Sequence, residues 1–145
     1  MASATTDILV IGSGIAGLSF ALEAAANARV LVVTKREISA ANTRYAQGGL
    51  SSVLGPDDSF DQHVMDTLRA GAGLCKPDVV KLCVEEGPTA VERLVQWGVT
   101  FDASEDGGFD LGREGGHSCR RVLHSGDITG AEIERALVAA VRAHG

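Results

Sequence analysis

Gly12-Ser13-Gly14-Ile15-Ala16-Gly17 is the stretch of this 145-residue chain whose chemistry is plainest. The run Ile8-Leu9-Val10-Ile11 before it reads as a buried strand, and the residues reaching Ala26 read as a helix. The glycines therefore sit on a strand-to-helix turn. Such a turn gathers free backbone N–H groups and the positive end of a helix dipole, an arrangement suited to the pyrophosphate of a dinucleotide. Ser13, Gly14, Ile15 and Ala16 are the residues expected to lie against it. The chain has 18 glycines, so the motif carries weight through its setting and not alone.

A second group of interest ends the next strand. About 20 residues past the first glycine, dinucleotide-binding chains place an acid that bonds ribose. Here the position reads Thr34-Lys35-Arg36, and Glu37 comes late. Two cations suit a 2′-phosphate and hence NADP. Alternatively Lys35 reaches the cofactor while a backbone group takes the ribose, or the two cations are simply solvated.

A third group lies between Leu111 and Asp127, which shows no period and collects Arg113, Glu114, His117, Arg120, Arg121, His124 and Asp127. Glu114 has an ordinary alternative as the ion-pair partner of Arg113 or Arg121. His117 and His124 either help bind a carboxylate or brace the loop, and bracing is preferred. Cys75, Cys83 and Cys119 form an odd set without a C-x-x-C pair, which argues against a disulfide framework or a structural zinc. His117-Ser118-Cys119 with His124 has metal-ligand chemistry, but a reduced cysteine beside loop histidines is the commoner case.

The elements that must position these groups follow from periodicity. Asp7 to Ile11 and Arg29 to Thr34 read as fully buried strands. Gly14 to Ala26 between them carries Ile15, Leu18, Leu22 and Ala25 on one face. Together they form a βαβ unit, with Gly17 permitting close helix–strand approach. Lys35 to Gly49 reads as a long loop, a length usually kept for function. Leu50 to Leu54 suits a short strand. Ser59-x-x-Gln62 is a capping box opening a helix with Phe60, Val64 and Leu68 on one face. Pro77 opens a further helix, expected to break at Gly87-Pro88 and resume from Thr89 to Gln96. Val99 to Phe101 is a weak strand, and Glu105-Asp106-Gly107-Gly108 is a turn. Trp97, Val91, Leu94 and Val95 suit the core. Thr129-x-x-Glu132 is another capping box, with Ile128 and Ile133 as a hydrophobic staple, opening a helix to Gly145. That helix should lead to another parallel strand, so a longer protein is expected, of which this is an N-terminal piece.

Composition excludes several classes. A net charge of −6 without basic clusters gives no reason to expect nucleic acid or an anionic membrane as partner. No apolar run is long enough to span a bilayer, and Met1-Ala2-Ser3-Ala4-Thr5-Thr6 lacks the apolar centre of a secretory signal. With 45% apolar residues, the chain can bury a core.

Asn42-Thr43-Arg44-Tyr45-Ala46-Gln47-Gly48-Gly49 resembles the loop that wraps the isoalloxazine end of FAD in the fumarate reductase and succinate dehydrogenase flavoprotein superfamily. Taken with the glycine turn, Thr34-Lys35 and Arg113-Glu114-Gly115-Gly116-His117-Ser118, the chain is similar to the L-aspartate oxidase family within it. The resemblance implies an α/β fold, the N-terminal part of a Rossmann-like FAD-binding domain with a parallel sheet. Capping and C-terminal helical domains are expected beyond residues 1–145. It implies FAD as cofactor and oxidation of L-aspartate to iminoaspartate. Oxygen or fumarate would be the acceptor, and quinolinate synthase the next enzyme of NAD synthesis. A cytoplasmic location is implied, or a plastid one in a plant or alga. Membrane-bound relatives attach FAD through a histidine where this chain has Asn42, so non-covalent binding is expected. Ala46, Gly48 and Gly49 are expected to let backbone lie against the flat ring, their amides bonding its heteroatoms. In the family, the glutamate matching Glu114 lies near the substrate amino group, where a carboxylate attracts an ammonium and disfavours substrates lacking one. No catalytic residue is expected in this stretch, and alone it should be inactive. The rivals are a soluble fumarate reductase or succinate oxidase, an NADP-dependent dehydrogenase using Lys35 and Arg36, and a non-catalytic nucleotide-binding module.

Overall fold

The computed structural model describes residues 5–144. Residues 1–4 of the segment lacking a secretory centre, and Gly145 at the expected helix end, lie outside the described residues. Strand β1 (Ile8–Ile11) pairs in parallel with β2 (Val30–Val33), from Ile8 opposite Val30 to Ile11 opposite Val33. Helix α1 (Ile15–Ala24) connects them. This is the expected βαβ unit, an α/β arrangement built on a parallel pair. The strands are not fully buried, however: Leu9 is 54% and Ile11 82% exposed. Parallel sheets bury both faces under helices, and α1 covers only one.

Beyond β2 the chain forms a 3-10 turn at Asn42–Tyr45 and a short strand β3 (Leu50–Ser51). Helix α2 (Phe60–Ala70) follows, and the Ser59 hydroxyl accepts from the Gln62 amide, as the capping box predicts. Its buried face differs from expectation, carrying His63 and Asp66 while Phe60 is exposed. Polar partners, described below, decide that face.

Helix α3 (Pro77–Gln96) runs unbroken through Gly87-Pro88. Proline removes one intrahelical donor, but Val84, Val91 and Leu94 keep one buried face across the interruption. Packing is close beside it, since a Cβ at Gly87 would stand 3.2 Å from the Ser52 hydroxyl. The helix ends on Gly98 at φ +92°, with Val99 N–H donating to the Leu94 carbonyl and Gly98 N–H to that of Val95. This double C-terminal closure requires the left-handed glycine. Val95 stays exposed while Trp97 packs partly buried against the core.

Val99 to Phe101 forms no strand, although Val99 and Phe101 are buried. The backbone there bonds to other segments: Thr100 N–H donates to Glu132 Oε1 and Asp102 N–H to the His124 carbonyl. Strands β4 (Leu111–Gly112) and β5 (Val122–Leu123) join β3 in an antiparallel sheet of order β3-β5-β4. Helix α4 (Thr129–His144) closes the described residues. Its expected capping box is not made. Glu132 is drawn away to Thr100 and Arg135, the Thr129 hydroxyl accepts from Ser125 N–H instead, and Ile128 is half exposed. The core joins Leu18 and Leu22 of α1, Val91 and Leu94 of α3, Leu123 of β5, and Ile133 and Leu137 of α4. No helix among the described residues is long and apolar enough to cross a membrane.

Candidate functional site

The glycine turn has the expected geometry. Gly12 takes φ +108°, where a side chain is strained, and its N–H donates to the Val33 carbonyl at 2.8 Å. A Cβ at Gly17 would collide with the Gly12 carbonyl and meet the Val10 side chain. Close packing of helix on turn therefore demands glycine at that position. Gly14 caps α1 in extended conformation without any side-chain cap. The first-turn amides are thus left to a ligand or to neighbouring chain.

One of those amides is already taken. Ile15 N–H donates to the Thr43 hydroxyl at 2.9 Å, which ties the Asn42–Tyr45 turn to the start of α1. The other side of that turn rests on α4: Gly130 N–H donates to the Ala46 carbonyl at 3.1 Å. A Cβ at Gly130 would strike the Thr43 carbonyl and stand 2.9 Å from the Ala46 methyl. The loop is held between the N-termini of two helices. Beside it opens a cleft of about 650 Å³, lined by the glycine turn, the end of β2 with Lys35 and Arg36, and Asn42 and Thr43.

Of the residues expected to hold a cofactor, Ser13, Gly14, Lys35, Asn42 and Thr43 line this cleft, and Ile15 joins it through Thr43. Ala16, Arg44, Tyr45, Ala46, Gln47, Gly48 and Gly49 are not in its wall. Tyr45 is 71% exposed, and Gly48 has open space where a side chain would be. Gly49 also has a packing role. A Cβ there would collide with the Leu123 carbonyl and the Val122 side chain, so this glycine serves the packing of β3 on β5.

Glu114 does not line the cleft. It is exposed in the loop joining β4 to β5, where its carbonyl accepts from His117 N–H at 3.2 Å and Gly116 takes φ +93°. Arg121 is fully buried. Its guanidinium grips both Asp58 oxygens at 2.9 and 2.7 Å and reaches Asp66 Oδ2 at 3.0 Å. It is thereby committed elsewhere than to Glu114. Asp66 Oδ2 also accepts from the amide and hydroxyl of Ser118, both at 2.7 Å. Those two bonds, foremost the amide, and then Arg121 hold the Asp66 carboxyl below the usual carboxylate range against the opposing effect of burial. The His63 ring meets that of His117 edge-on at 6.0 Å. Burial, then the Arg121 cation, pushes the His63 imidazole below its ordinary value and favours the neutral form. His124 Nδ1 lies 2.8 Å from Asp102.

Asp58, Asp66, Gly130 and Glu134 were missed from sequence. Asp66 sits on a helix where an aspartate usually faces water, and Gly130 reads only as a weak helix former. Glu134 is buried on α4 with both carboxylate oxygens unpartnered. Burial raises its pKa, partly opposed by Arg44. No periodic signal marks any of the four.

The model of the FAD binding domain family matches residues 7–145. L-aspartate oxidase of Streptomyces coelicolor is 55% identical over 141 residues, covering 96% of this chain and 24% of that protein. The chloroplastic L-aspartate oxidase of Arabidopsis thaliana is 52% identical over 135 residues, covering 93% and 21%. Among solved structures, FrdA of E. coli quinol fumarate reductase superposes with a TM-score of 0.90 at 32% identity, covering 99% of this chain and 25% of that one. Sdh1 of Mycobacterium smegmatis gives 0.87 at 36%, covering 95% and 24%. The chain spans about a quarter of the length of the curated relatives it matches.

Proposed function

The chain belongs to the FAD binding domain family, and from that premise we propose that it is the N-terminal, cofactor-holding part of an L-aspartate oxidase. The observation that carries the cofactor half is the cleft where the glycine turn, Lys35 and Thr43 converge. The residues fit FAD: Gly12 and Gly17 leave no side chain at the turn, and the uncapped start of α1 offers amides to a pyrophosphate. Lys35 brings a cation to the same space, and Asn42 offers no ring nitrogen for covalent attachment. When bound, FAD supplies a two-electron sink.

The substrate half rests on Glu114 and on the 46–55% identity to relatives named L-aspartate oxidase. Exposed on a glycine-flanked loop, with Arg121 committed elsewhere, the Glu114 carboxylate is free to attract the ammonium of an amino acid. A substrate lacking that ammonium would meet an unpaired anion instead. The finer parts of the proposal are oxygen or fumarate as acceptor, iminoaspartate as product, its delivery to quinolinate synthase in NAD synthesis, and a cytoplasmic or plastid setting. A fumarate reductase or succinate oxidase is the second reading, favoured by the 0.90 TM-score to FrdA.

The test uses the full-length protein carrying this chain. It should purify yellow, release FAD on denaturation and lose its colour when L-aspartate is added without oxygen. Glu114→Gln should lower kcat/KM for L-aspartate about tenfold or more, the scale of one hydrogen bond to a charged group. Fumarate reduction should hold or rise, because the carboxylate that opposes a ligand without an ammonium is gone. Equal loss of both activities refutes the amino-acid role of Glu114, and a colourless protein that reduces NADP refutes the flavin reading.

A further inference from the structure

We propose that Asp66 is a positioning residue for substrate selectivity, fixing the loop that carries Glu114 through Ser118 and the buried Arg121. The inference rests on the reading of Glu114 given above and extends it to a residue on another element.

The loop between β4 and β5 is intrinsically loose. Gly115 has open space around it and Gly116 sits at positive φ, so the backbone beside Glu114 is free of side-chain constraint. A carboxylate on such a hinge selects for an ammonium only if something holds the hinge, because misplacement by about 1 Å is enough to lose a directed contact. The hold is visible four residues on. Asp66 Oδ2 gathers three donors: the Ser118 amide at 2.7 Å, the Ser118 hydroxyl at 2.7 Å and Arg121 Nη1 at 3.0 Å.

Asp66 is itself fixed. It stands 5% exposed on α2, and the guanidinium that contacts it is locked from its other side by Asp58. Asp58, Asp66 and Arg121 thus form a rigid buried post, to which the loop is moored at Ser118. His63, one turn before Asp66 on the same helix face, backs the His117 ring. The turn bond from His117 N–H to the Glu114 carbonyl carries the position back to Glu114 itself. A helix that reads from sequence as an amphipathic support is therefore the seat of a selectivity loop.

The experiment measures KM for L-aspartate and the inhibition constant of succinate, which lacks the ammonium, in the full-length enzyme and its variants. Asp66→Asn should raise KM for L-aspartate about tenfold, consistent with loss of charge-assisted bonds. The FAD dissociation constant should stay within about twofold, and the succinate constant should hold or fall, since a displaced carboxylate no longer opposes that ligand. Ser118→Ala, on an exposed residue whose loss leaves the post intact, should raise KM about threefold, and Ser118→Thr should restore it. The double variant Asp66→Asn with Glu114→Gln should select no worse than Glu114→Gln alone, because both changes remove the same discrimination. If Glu114→Gln abolishes selectivity while Asp66→Asn and Ser118→Ala leave it intact, the positioning role is wrong and the substrate reading stands. If Glu114→Gln leaves selectivity intact, the substrate reading fails first. Should Asp66→Asn fail to retain FAD, Ser118→Ala and its threonine rescue decide alone.

Discussion

Replacing Gly130 by alanine tests whether the start of α4 sets the loop beside the cleft. The added methyl would strike the Thr43 carbonyl and stand 2.9 Å from the Ala46 methyl and 3.0 Å from its carbonyl. Either the helix start or the Asn42–Ala46 segment must move. The helix is pinned by its neighbours Ile133, Ala136 and Leu137, all in the core. The loop is held by two hydrogen bonds, from Ile15 to Thr43 and from Gly130 to Ala46. At about 0.5–1.5 kcal/mol each, releasing both costs roughly 1–3 kcal/mol, comparable to ordinary overpacking strain. The loop therefore yields, and Thr43 leaves the cleft wall. If FAD binding must restore that position, the loss appears as a dissociation constant raised about fivefold to 150-fold. The assay is titration of full-length apoprotein with FAD, read by flavin fluorescence, alongside apoprotein melting. The melting temperature should fall by only a few degrees, the shift that roughly 1–3 kcal/mol produces in a large domain. An FAD constant within twofold of the parent would refute the coupling of α4 to the loop.

Two further outcomes follow from the buried charges. Arg121→Met leaves Asp58 and Asp66 without their cation in a dry site, and should destabilise the full-length apoprotein by about 3–5 kcal/mol in urea unfolding; a loss under 1 kcal/mol would show the network to be solvated. Glu134, its pKa raised by burial, contributes stability that is fully present below the unfolded carboxyl value of about 4.5 and is lost as pH rises through its higher folded value. Glu134→Gln should flatten that decline in stability above pH 4.5, and an unchanged pH profile would place the carboxylate in water.

Local signals were legible where the backbone alone decides. The βαβ unit, the Gly12–Gly17 turn, the Ser59 cap and the proline start of α3 each depend on residues adjacent in sequence, and each stands where periodicity and capping rules place it. The misreadings share a different cause. Val99–Phe101 lacks a strand, Glu132 abandons its cap and Pro88 fails to end a helix, because partners distant in sequence compete with the local preference. Gly49 shows the same competition inside a motif. The resemblance assigns it to a flat ring, and the clash its missing side chain avoids is with β5. A glycine forced by packing and a glycine kept for a ligand look alike in sequence. Only the atoms opposite its missing Cβ separate them, and by that criterion Gly17 and Gly130 also serve packing. Close approach thus shapes the cleft: α1 packs on β1 at Gly17, and α4 packs on the Asn42–Tyr45 turn at Gly130, which sets Asn42 and Thr43 in the cleft wall. What side chains then add, Lys35 at the cleft and Glu114 on its moored loop, is charge at defined points. It follows that substitutions at the packing glycines should alter cofactor affinity, while those at Glu114, Ser118 and Asp66 should alter which substrate is oxidised.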